Sequence, residues 1–220
     1  MLSICCISIK PQVWNDLVDN IHSPQLDYEI IFVGPEKLVK MPPNSRHIKT
    51  NVKVSQCNEI AIRNAQGEHI TWLGDDGRFV TEDLNCLFLE YLELCQQENH
   101  NRVVCISNKR DGRRRADGKF SRAKASTAPI ATLEASICSR ELFDETGLVD
   151  KNYLATIWES DLAMRLHTIG VQFHRSTKVL LREITIPGIR RLHKTSNYHD
   201  IPILLNQWTR KYIPGEVLPS

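Results

Sequence analysis

Residues 55–76, SQCNEIAIRNAQGEHITWLGDD, decide the fold. Cys57, Ile60, Ala61 and Ala65 recur at helical spacing, with Ser55 placed as an N-cap and Gly67 where a left-handed residue closes a helix. The apolar run Ile70, Thr71, Trp72 and Leu73 is β-rich and too short for a helix, and Gly74-Asp75-Asp76-Gly77 stops it. Helix, glycine turn and buried strand predict a parallel sheet with helices on its faces. Ligands in such sheets sit beyond the carboxyl ends of the strands, which is where Asp75 and Asp76 fall. Adjacent carboxylates repel unless solvated or neutralised. A hard divalent cation, Mn or Mg, prefers oxygen ligands and keeps substrate phosphates in its shell. The alternative is an exposed Asp-Asp-Gly turn; the position after a buried strand favours the cation.

Upstream, residues 3–9 form a continuous apolar run suited to a central strand, and Lys10-Pro11 opens a helix whose face is Val13, Trp14, Leu17, Val18 and Ile21. A second strand is predicted over 28–33, which completes a β-α-β unit of right-handed, parallel connection. Residues 37–51 are proline-rich and irregular, with His47-Ile48-Lys49 as a short edge strand. Downstream, Thr81 caps a helix whose stripe is Leu84, Leu87, Phe88, Tyr91, Leu92 and Cys95. Strands follow over 103–107 and 128–138, then a short helix over 140–146 capped by Ser139 and closed by Gly147. Another helix runs from Trp158 to Gly170, β-like runs cover 171–173 and 178–184, and a last helix spans 201–212.

Asp161 and Arg165 are four apart and can pair along their helix. Glu159, two positions earlier at the helix mouth, either points into a cleft or serves the helix dipole. Lys109, Arg110, Arg113, Arg114, Arg115, Lys119, Arg122 and Lys124 crowd one loop, which is either a solvated hairpin tip or an anion-binding flap. That loop has Phe120 as its one aromatic and the net charge is +2, so nucleic acid is not an expected partner. A hydrophobic share of 41% against 25% charged residues is that of a soluble globular chain, and 220 residues suit one domain. No apolar run approaches membrane-spanning length, and the first residues are too short for a signal peptide, so a cytoplasmic location is expected. Seven cysteines without a Cys-x-x-Cys pair read as reduced core residues.

The opening β-α-β unit, then Glu59-Ile60-Ala61-Ile62-Arg63-Asn64-Ala65-Gln66-Gly67-Glu68, then Gly74-Asp75-Asp76, then Leu142-Phe143-Asp144-Glu145-Thr146-Gly147, then Trp158-Glu159-Ser160-Asp161-Leu162-Ala163-Met164-Arg165-Leu166 with Gly170, and the late His193 follow one another over nearly the whole chain. Together they resemble the family 2 glycosyltransferases of GT-A fold. The resemblance implies an α/β, Rossmann-like architecture with a mixed, mainly parallel sheet and helices on both faces. It also implies a division of the single domain 1–220 into a nucleotide-binding half, 1–76, and an acceptor-side half with the C-terminal helix, 77–220.

What the resemblance implies for chemistry is an inverting, metal-dependent transfer of a sugar from a nucleotide-diphospho-sugar, UDP-linked by expectation, to an acceptor hydroxyl. Asp76 and His193 would hold Mn or Mg, while Asp75, Glu36, Asn58 and Arg63 would contact the donor. Glu159 stands at the family's base position and Asp161 shares its helix as the second catalytic acid. The chain departs from the family pattern at four places: Gly34-Pro35 ends strand two with Glu36 as nearest acid, Asn58-Glu59 replaces an Arg-Asn pair in the central helix, Gly74 replaces the first acid of the motif, and Glu159 replaces an aspartate. Those departures keep open a second reading, a GT-A-like module that binds nucleotide sugar or glycan without turning it over.

Overall fold

The computed structural model describes residues 1–7, 26–74, 77–79, 83–110, 121–122, 129–130, 135–155, 157–183 and 189–208, with Ile9, Trp14 and Leu133. Its strands are β1 (Leu2–Ile7), β2 (Tyr28–Gly34), β3 (Ser45–Lys49), β4 (His69–Leu73), β5 (Gly77–Phe79), β6 (Val103–Arg110), β7 (Ser121–Arg122), β8 (Pro129–Ile130), β9 (Ser136–Ser139) and β10 (Gln172–Glu183). The helices are α1 (Val54–Asn64), α2 (Asp83–Gln97), α3 (Glu141–Thr146), α4 (Trp158–Thr168) and α5 (Ile189–Trp208).

Eight strands form one sheet in the order β3-β2-β1-β4-β9-β6-β10-β5, and β7 and β8 pair separately. Strands β3, β2, β1 and β4 run parallel, as do β6 and β10, while β9 and β5 run against their neighbours. The sheet is thus mixed and mainly parallel, as expected. Every residue of β1 is buried because helices cover both faces. Cys5, Ile31, Val33, Ile70 and Trp72 face α1, α3, α4 and α5; Leu2, Ile4, Cys6, Ile30 and Phe32 face α2 and Trp14, whose indole N–H donates to the Ile7 carbonyl at 2.8 Å. Each such aliphatic or aromatic side chain contributes about 1.5–3 kcal/mol on burial. Burial also pushes the Cys57 thiol up to about 11 and raises Cys5 and Cys138 further, which keeps the core thiols neutral.

Local chemistry departs from the sequence expectations at five points. Lys53, in extended conformation, takes the N-cap position of α1, and Ser55 lies in the first turn, where its hydroxyl donates instead to the Tyr153 carbonyl. Gly67 has no left-handed φ; it is needed because a Cβ there would meet the Met1 carbonyl oxygen at 2.7 Å and Ser3 Oγ at 2.7 Å. The strand expected over 128–138 is broken, with β8 in the small sheet and β9 starting after Ala135, which has φ of 53°. The two β-like runs over 171–184 are one strand, β10, with register shifts against β6 between Arg175 and Val179 and between Val179 and Leu181. The last helix begins at Ile189 and runs through Pro202, which lies on its exposed side. The helix expected around Val13 to Ile21 lies outside the described residues apart from Trp14.

At the amino edge of the sheet Glu29 ties three segments together. It accepts from Ser3 Oγ at 2.7 Å and the Gln66 N–H at 2.6 Å, and it pairs with Arg46 at 3.2 Å. Burial alone would raise its carboxyl, but the bonds from Ser3, Gln66 and Arg46 hold it below the usual carboxylate range. A depressed folded pKa stabilises above the unfolded value, about 4.3, and that contribution is lost as pH falls through the folded pKa. Glu29→Gln is therefore expected to lower unfolding stability by about 1–3 kcal/mol at pH 7. The gap to wild type should close on acidification below about pH 4 in urea titrations at matched ionic strength.

Candidate active site

In β1, β2 and β4 the register pairs Ile7 with Val33 and Cys6 with Leu73, so the three carboxyl ends finish level at one edge. Glu36 emerges there, exposed, two residues beyond β2. Strand β4 leaves the sheet at Leu73, and Gly74 leads into Asp75 and Asp76, which lie outside the described residues. Both α1 and α4 follow segments that reach this edge and descend from it, so their N-termini, with their positive dipole ends, lie on its side.

Glu159 occupies the first turn of α4, half-buried, and its Oε1 accepts the indole N–H of Trp72 at 2.9 Å. The base candidate therefore sits against the strand that runs into the acidic pair. Trp72 packs on Phe143 at 5.8 Å between ring centroids and on Trp158 at 5.8 Å, and it is 1% exposed. The loop before α4 is held from two sides. Ser55 of α1 bonds the carbonyls of Tyr153 and Leu154, and Asp200 of α5, fully enclosed, accepts the N–H groups of Leu154 at 2.8 Å and Ala155 at 3.1 Å. His199 reaches the same carboxylate at 2.9 Å.

Asp161 is wholly enclosed one turn below the mouth of α4. Its Oδ1 accepts Trp208 Nε1 at 2.8 Å and its Oδ2 pairs with Arg165 Nε at 2.9 Å, the pairing expected from their spacing. Arg165 Nη1 also donates to the carbonyls of Thr146 and Gly147, each at 2.8 Å. The contacts of Asp161 tie α4 to α5 and to Arg165 one turn further along its own helix.

The other sequence candidates are dispersed. Asn58 is buried in α1 and its amide donates to the Val54 carbonyl at 3.2 Å. Arg63 pairs with Glu59 at 2.9 Å in the last turn of α1, beside Asn64, whose carbonyl accepts from Arg46 at the amino edge. It lies in the last turn of α1, and the structure does not bring it to the carboxyl ends of the strands. The side chain of His193 lies outside the described residues, as do most residues of the basic stretch 109–124. Among the described residues no three His, Cys, Asp or Glu side chains cluster to hold a metal. Trp72, Asp200 and Trp208 were not candidates from sequence; an indole three residues before an acidic motif is the one available signal. No helix among the described residues is long and apolar enough to cross a membrane.

No protein-family model and no curated protein matches the chain. Solved structures do. The mannosyltransferase PcManGT from Pyrobaculum calidifontis, in complex with GDP-Man and Mn2+, is similar with TM-score 0.66 and 16% identity over 91% of this chain and 61% of that one. Staphylococcus aureus TarS 1–349 in complex with UDP is similar with TM-score 0.61 and 13% identity over 92% of this chain and 65% of that one. The same protein in complex with UDP-GlcNAc gives 0.60 and 14% over 85% and 59%. This chain thus spans about three fifths of the length of those neighbours. The likeness establishes that the α/β architecture is GT-A-like.

Proposed function

We propose that this chain transfers a glycosyl group, with inversion, from a nucleotide-diphospho-sugar, UDP-linked by expectation, to an acceptor hydroxyl. The observation that carries the reading is Glu159, held by Trp72 at the end of the strand that runs into Asp75 and Asp76. The fold likeness supports it, since the similar structures are titled as complexes with UDP, UDP-GlcNAc and GDP-Man. The donor would lie over residues 1–76, against Asp75 and Glu36, with the acceptor on the side of residues 77–220, in the cytoplasm.

Two adjacent carboxylates directly beyond β4 are a donor set of hard oxygens, which fits Mn or Mg. Asp76, with His193, would hold the ion, which when bound acts as a Lewis acid toward the leaving diphosphate. The chain's own chemistry is the proton. Glu159 accepts it from the acceptor hydroxyl as that oxygen bonds to the anomeric carbon; the bond to the diphosphate breaks on the opposite face, and inversion follows. Asp161 and Arg165 serve by holding α4, and through it Glu159, in place.

Calorimetric titration with UDP, GDP, CDP and their sugar conjugates, with and without Mn, tests the donor site. Metal-dependent binding of one nucleotide, weakened at least about tenfold in Asp76→Ala, is the expected result, since loss of even an outer-shell partner of a metal ligand commonly costs that much. Heat from none of these nucleotides removes the reading. Binding without turnover across an acceptor panel assigns a non-catalytic nucleotide-sugar module, the reading that Gly74 in the acidic motif favours.

A further inference from the structure

We infer that Trp72 is a positioning residue for the general base: its indole N–H fixes the Glu159 carboxylate to strand β4, the strand that delivers Asp75 and Asp76. The inference rests on the glycosyl-transfer reading and adds to it what aligns base and donor. An indole nitrogen only donates, so its one hydrogen bond has a fixed direction, and a carboxylate acceptor makes that bond charge-assisted. The indole cannot swing, because it is buried and its ring packs against Phe143 and Trp158. Trp158 immediately precedes Glu159, so one side chain grips two consecutive residues of α4. Strand β4 is itself interior, bonded to β1 on one side and β9 on the other. Glu159 is thereby tied to an interior strand, and displacement of a reacting group by about 1 Å can cost about 10²-fold in rate.

A merely structural bond, in which Glu159 only satisfies a buried N–H, would leave the catalytic step indifferent to its loss. The test is Trp72→Phe, which keeps an aromatic ring and removes the donor, with steady-state kinetics and an indole 15N–1H spectrum of the wild type, of Trp72→Phe and of Glu159→Gln. The cross-peak missing in Trp72→Phe identifies the Trp72 indole. It is expected to move in Glu159→Gln, where a neutral acceptor replaces a charged one. Kinetically, Trp72→Phe should lower kcat about 10–100-fold and leave the donor KM within about twofold, the range for a hydrogen bond to a charged group.

An indole peak that ignores Glu159→Gln, or a kcat that ignores Trp72→Phe, overturns the inference while wild-type turnover keeps the transferase reading intact. Wild-type protein that shows the indole shift but turns over no nucleotide sugar overturns the transferase reading, and the positioning role falls with it. The two failures are therefore distinguishable.

Discussion

Asp161→Ala is expected to lower the stability of the chain by about 3–5 kcal/mol, the cost of removing one partner from a buried ion pair. The side chain is 0% exposed and Arg165, its partner at 2.9 Å, only 17%. Removing the carboxylate leaves a guanidinium enclosed with its charge uncompensated, and it deprives the Trp208 indole of the Asp161 acceptor. The carbonyls of Thr146 and Gly147 still receive Arg165 Nη1, but neutral acceptors do not balance the charge. Asp161→Asn keeps an acceptor for Trp208 while losing the ion pair, so its loss should be about half as large. Asp161→Leu combined with Arg165→Met should recover part of the single-variant deficit, because removing both charges removes the desolvation penalty. Urea unfolding of the four proteins checks the series. An alanine variant within about 1 kcal/mol of wild type would show that α4 is held by its apolar face alone.

What was legible in the chain was whatever one element decides by itself. Strand β1 is buried on both sides and reads as six apolar or small residues; α2 shows its stripe because one face packs on the sheet. The expectations that failed are those in which a neighbour overrides the local pattern. His174, Arg175 and Ser176 interrupt the apolar run over 171–184, yet pairing with β6 carries the strand through them, and Ser176 finds Glu90 of α2 at 2.6 Å. Gly67 was read for its backbone freedom, whereas the chain needs it for the close approach of Met1 and Ser3, residues far away in sequence.

The site divides in the same way. The acidic pair and Glu159 were proposed from sequence because they follow local signals, a strand end and a helix mouth. Their supports were not, because each is a contact across long sequence separation: 87 residues from Trp72 to Glu159, 47 from Asp161 to Trp208, 46 from Leu154 to Asp200. The resemblance named Arg63 as a donor contact, whereas α1 descends eleven residues, about 16 Å at 1.5 Å per residue, and carries Arg63 toward the amino edge.

Glu159→Gln is expected to reduce kcat about 10²–10⁴-fold, the range a positioned general base contributes, with donor affinity within about twofold of wild type. Glutamine is isosteric and its carbonyl oxygen can accept the Trp72 indole as Oε1 does, so the substitution removes proton acceptance and little else. Glu159→Asp makes the complementary change: the base survives, but a side chain one methylene shorter must choose between the indole and the acceptor hydroxyl. Its kcat should fall by about 10²-fold for a shift of about 1 Å. Loss in both variants is what a base fixed by both chemistry and reach requires. Loss in glutamine with full activity in aspartate would keep the base and discard the geometric requirement. Turnover unchanged in glutamine would move proton acceptance to another group and leave Glu159 as the partner of a buried indole.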